Sequence, residues 1–116
     1  MSYKEIGLKF NELCKKLGNQ FADGEAVDLK GALFLIGVQE LGQGPRKYSK
    51  REKEELMHIA VCRLMSELGY YTLKGQDDQG WPHWEKVKSP PKMPLMEQEN
   101  LLKQLIVNYF EEIEYL

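Results

Sequence analysis

Cysteine is scarce in this chain, with two residues in 116, and so are histidine, with two, and proline, with five. Two thiols do not make the dense disulfide framework of a small secreted domain, so reduced cysteines in a cytoplasmic protein are expected. Long apolar runs are missing too. The longest, Ala32 to Val38, is far short of the roughly 20 residues that span a bilayer, and the opening MSYKEIGLKFNEL lacks a secretory apolar segment. Neither sign of charge dominates: 16 basic residues face 18 acidic ones, a net charge of −2 that argues against a general polyanion binder. No nucleotide-binding loop, paired metal-ligand motif or nucleophile elbow occurs. What remains is an ordinary globular composition, 42% hydrophobic and 29% charged, long enough for one core.

Periodicity predicts a mainly α fold: one compact domain over residues 1–116, four helices, with a small β-hairpin between the third and fourth. The first helix is expected over 3–17. Ile6, Phe10, Leu13, Cys14 and Leu17 recur at spacings of three and four, and Gly18 with Asn19 supplies a stop. The second is expected over 28–42, opened by Asp28 and ended by Gly42. Its centre, 32–38, is apolar on all sides, so a short buried strand competes with the helix. The spacing of Leu29, Leu33, Ile36 and Glu40 favours the helix, and Gly37 inside it suggests the close approach of a neighbouring backbone.

GQGPRKY reads as a turn. Ser49 then opens a third helix over 49–69, with Glu52 three residues on in capping-box spacing. Leu56, Met57, Ala60, Val61, Leu64 and Leu68 are its expected buried stripe. Residues 70–87 read as a hairpin whose second strand, given Pro82, is an edge or begins after that residue. KSPPKMP, 88–94, is a stiff extended linker. A last helix over 95–114 lines up Leu102, Leu105, Ile106, Tyr109, Phe110 and Ile113.

Four features stand out as candidate sites. Arg46, Lys47, Lys50 and Arg51, with Lys53, gather cations at the start of the third helix. They suit an anion or a nucleic-acid backbone, although Lys50 with Glu54 and Arg51 with Glu55 has the spacing of surface ion pairs, which favours a solvated face. His58 and Cys62 share one helical turn, but two ligands do not make a zinc site, and a thiol on an apolar face is inert. No metal, cofactor or catalytic residue is therefore assigned.

The third feature is QDDQGWPHWE. Trp81, His83 and Trp84 either pack on the helices or form a recognition surface, and an enzyme would pair His83 with Asp77, Asp78 or Glu85. The fourth is the last helix, where Tyr109 and Phe110 could dock on the same chain or on a partner. The acidic tail carrying Glu111, Glu112 and Glu114 could meet the basic cluster of a second copy. The leading expectation is a non-enzymatic module that binds a protein partner or itself. Nucleic-acid or anion binding through the basic cluster, and a small hairpin enzyme, are the alternatives. No membrane association is expected.

Overall fold

A computed structural model describes residues 2–44 and 46–115. Pro45 of the expected GQGPRKY turn, and both chain ends of the expected 1–116 domain, lie outside the described residues. The element order is α1 (Tyr3–Phe21), α2 (Leu29–Leu41), α3 (Lys50–Ser66), β1 (Tyr71–Gln76), β2 (Pro82–Lys86) and α4 (Leu95–Glu112). The fold is mainly α, with four helices and a two-stranded antiparallel hairpin between the third and fourth. Residues 32–38 are helical. Contacts divide the chain into two units: Met1–Ala32 with Lys92–Leu116, and Leu33–Pro91.

In the first unit, α1 packs on α4. Ser2 caps α1, its hydroxyl accepting from the Glu5 N–H at 3.2 Å. The expected apolar stripe is buried: Ile6, Phe10, Leu13, Cys14 and Leu17. The helix does not stop at Gly18, however, but continues through Asn19 to Phe21. The stop is made further on, where Asp23 and Gly24 take φ of 52° and 91° and the Gly24 N–H returns to the Gly18 carbonyl at 3.0 Å. Gly18 serves packing instead. The 25–26 backbone lies so close that a Cβ at Gly18 would overlap the Glu25 carbonyl and stand 2.9 Å from Ala26 Cα. Asp28 then opens α2 by accepting from the Gly31 N–H at 2.8 Å.

On α4 the buried residues are Leu105, Ile106, Val107, Tyr109 and Phe110, whereas Leu102 is half-buried and Ile113 is exposed. Tyr115 ties the chain back to α1. Its hydroxyl donates to Gln20 Oε1 at 2.6 Å, and its carbonyl accepts from Lys16 Nζ.

The second unit is organised by α3. Ser49 and Glu52 form the expected capping box, with reciprocal hydrogen bonds of 3.1 and 2.9 Å. The helix buries Leu56, Ile59, Ala60, Cys62, Leu64 and Met65. Of the expected stripe, Met57 and Val61 are only half-buried, and Leu68 lies beyond the helix and is exposed, because α3 ends at Ser66 rather than 69. Gly37 of α2 lets the α3 backbone approach: a Cβ there would overlap the Leu56 carbonyl. Leu41, Tyr48, Leu56 and Ile59 form a buried cluster, joined by Phe34, Val38, Trp81 and Trp84. Phe34 meets Tyr48 edge to face at 5.9 Å.

Both hairpin strands contact α3. The register pairs Tyr71 with Lys86 and Leu73 with Trp84, then shifts at Lys74 so that Gly75 faces His83. With only two strands both are edges, and Pro82 begins β2 without breaking a ladder bond. The loop is closed by Gly80, whose φ of 84° calls for glycine, and by hydrogen bonds between Asp77 and Trp81 and between Gly80 and Asp77, each 3.0 Å.

Candidate functional site

The second unit contains a groove of about 780 Å³ between the first half of α3 and the hairpin. One wall is the α3 face on which Arg51, Glu54, Glu55 and His58 recur at helical spacing, with Glu52 beside them. The other wall is the hairpin, with Asp77, Gln79, Pro82 and His83. Trp81 and Trp84 supply apolar surface over the buried Ile59. The two tryptophans have a double character: they pack against the Leu56–Ile59 cluster, yet each remains partly exposed in the groove. The Trp84 indole N–H is buried and has no hydrogen-bond partner among the described residues.

Asp77 organises the hairpin tip. One oxygen accepts from the N–H groups of Gln79 and Trp81, at 2.9 and 3.0 Å, and the other lies 3.0 Å from His83 Nε2. The His83 contact, then the Trp81 and Gln79 N–H groups, hold the Asp77 carboxyl below its ordinary range. The other carboxylates considered with His83 are not gathered in the same way. Glu85 turns to Lys74 at 2.6 Å, and Asp78 does not line the groove. The Asp77–His83 pair therefore stands exposed at a tip whose geometry it maintains.

The two arginines of the basic cluster are engaged within the chain. Arg46 reaches Glu52 at 3.4 Å and lies 4.3 Å over the Tyr48 ring, and its Nη1 donates to the Lys47 carbonyl at 3.2 Å. Tyr48 is buried, its hydroxyl donating to the Gly44 carbonyl, and so offers nothing to a nucleic acid. Arg51 meets Glu55 at 3.6 Å, whereas Lys50 makes no ion pair with Glu54 among the described residues. Lys47 and Lys50 are exposed. Glu52 is held below its ordinary range, first by the Ser49 backbone N–H and then by smaller contributions that include Arg46.

His58 Nε2 and Cys62 Sγ lie 3.5 Å apart. His58 is exposed and Cys62 buried, and burial pushes the Cys62 thiol up to about 11. Among the described residues, no group of three or more His, Cys, Asp or Glu side chains is placed to hold a metal ion.

Tyr109 and Phe110, read from sequence as partner-binding residues, are 4% and 5% exposed. They meet edge to face at 5.5 Å, and Phe110 also meets Tyr115 in a tilted contact at 5.5 Å. The α1–α4 packing covers them, so they present no free surface. The residues missed from sequence are Glu54, Glu55 and His58 as one wall of a groove. Their i, i+3 and i+4 spacing was the available signal, but it is equally the pattern of a solvated face. Among the described residues no helix is long and apolar enough to cross a membrane. No family model, curated protein or solved structure matches this chain.

Proposed function

We propose that the protein is a non-enzymatic interaction module that holds a protein partner in the groove between α3 and the hairpin. The observation that carries this reading is the pair of partly exposed tryptophans, Trp81 and Trp84, in a groove of about 780 Å³. Indole rings give large contact area at low entropic cost and dominate binding energy where they are found in interfaces. Their anchoring in the Leu56–Ile59 cluster presets their positions, so less ordering cost remains for binding. The Asp77-organised tip holds the hairpin wall in shape in the same way.

The test is selection of a random peptide display library on the folded protein, followed by chemical-shift mapping of the enriched peptides. Shifts concentrated on the Trp81 and Trp84 indole N–H groups and on His58 are expected. Peptides that map to Lys47 and Lys50, or to α1 and α4, would overturn the reading, as would a selection that enriches nothing.

A further inference from the structure

We infer that the partner held in this groove is a basic peptide segment, one that presents lysine or arginine side chains alternating with an aliphatic residue. This rests on the reading of the groove as an interaction site and adds the chemistry of its occupant.

The charge of the groove selects for cations. Four carboxylates line it, those of Glu52, Glu54, Glu55 and Asp77; Arg46 reaches Glu52 at 3.4 Å, and His83 lies 3.0 Å from Asp77. The one guanidinium in the groove lining, that of Arg51, is engaged by Glu55 at 3.6 Å and is largely exposed to solvent. Glu54 makes no ion pair among the described residues, so its charge faces the groove uncompensated. Glu52 and Asp77 have these partners of their own, so Glu54 contributes most of the free negative charge. Low-dielectric walls concentrate such a field and draw cations to it. The same field repels a phosphate backbone, so the groove and the nearby Arg46–Lys53 run do not share a ligand class.

The walls add a second requirement. Indole faces attract ammonium and guanidinium groups through the ring quadrupole, and tryptophan is the strongest of the aromatic residues in this respect. Half-buried Pro82 beside them offers an apolar surface without charge. An occupant with cations alone would leave that surface wet, and one with apolar residues alone would bury carboxylates unpaired. Basic and aliphatic side chains in alternation satisfy both.

The test is a tryptophan-fluorescence titration with two synthetic peptides, one alternating lysine and leucine, the other carrying glutamate in place of each lysine. Binding of the basic peptide, with affinity that falls as salt is raised, is expected. The exposed Glu54→Lys variant should bind it roughly tenfold more weakly, about one close charge contact. Glu54→Gln should fall between that variant and the native protein. Circular dichroism of both variants establishes that they are folded.

Equal or tighter binding of the acidic peptide would overturn the basic partner while leaving the groove as an interaction site. Display-selected peptides that map to the groove but are neutral would do the same. Unchanged binding of the basic peptide by Glu54→Lys would also overturn the inference. If display enriches nothing and neither synthetic peptide alters the tryptophan emission, the interaction reading falls as well.

Discussion

Gly7 and Gly18 lie in the same helix, and the same substitution should move stability in opposite directions. Alanine gains about 1 kcal/mol of helix propensity over glycine at either position. At Gly7 a Cβ would meet nothing within 4 Å, so the gain is realised and Gly7→Ala should stabilise by about 0.5–1 kcal/mol. At Gly18 the Cβ would overlap the Glu25 carbonyl and press on Ala26 Cα at 2.9 Å. Those are backbone atoms, so relief requires the connection before α2 to move. That connection is held by the Gly24 N–H on the Gly18 carbonyl at 3.0 Å and the Val27 N–H on the Cys14 carbonyl at 3.2 Å.

Overpacking of this kind typically costs about 1–3 kcal/mol, and contact with backbone places it at the upper end. Gly18→Ala should therefore lose about 1–2 kcal/mol net, and the two variants should differ by about 1.5–3 kcal/mol. At about 4 °C per kcal/mol for a chain of this size, their melting temperatures should separate by about 6–12 °C. Parallel thermal melts followed by far-ultraviolet circular dichroism measure the difference directly. Equal shifts, or a stabilised Gly18→Ala, would refute the close approach and return Gly18 to the role of a simple helix breaker.

Three further outcomes are expected in the second unit. Ser49→Ala removes one half of the capping box and should lower stability by about 1 kcal/mol, read as a reduced urea midpoint with unchanged slope. Cys62, with its thiol pushed up to about 11, should be only about one part in a thousand thiolate at pH 8, so the folded protein should react slowly with iodoacetamide there and rapidly once unfolded. Fast native alkylation of Cys62 would contradict its burial. Asp77 has a lowered folded pKa, so its stabilisation of the hairpin is fully present above the unfolded carboxylate value of about 3.9 and is lost as pH falls through the lower folded value. The Trp81 amide resonance followed in acid should show this transition in the native protein and lack it in Asp77→Asn.

What was legible in the sequence had local causes. α3 announced itself through Ser49 and Glu52 at capping-box spacing and an apolar stripe that follows within one turn. Even so, its C-terminal end and the exposure of Leu68 depended on where the hairpin begins. Gly37 was readable as a close-packing residue because it interrupts an apolar helix. Gly18, next to Asn19 at the end of an amphipathic stretch, has the same local appearance as a stop. Only the return of the chain at Glu25 distinguishes the two. The groove was half legible: two tryptophans in a short hairpin marked one wall. The other wall, Glu54 and His58, is an ordinary polar helix face until β1 and β2 fold against α3. Tyr109 and Phe110 met both descriptions open to them in sequence, core and partner surface, and the packing of α1 on α4 decides for the core.

The division of the chain also bears on the order in which it can be made. Residues 33–91 form one continuous stretch, whereas α1 and α4 belong together across that whole insertion. If the insertion is still a random chain, bringing α1 to α4 carries a length-dependent closure cost, (3/2)RT ln n, of about 3.6 kcal/mol. During synthesis from the N-terminus the continuous segment is complete before α4 exists. The stripe of Ile6, Phe10, Leu13 and Leu17 therefore gains its α4 partner only after residues 33–91 have been made, so the first unit is the later of the two to close.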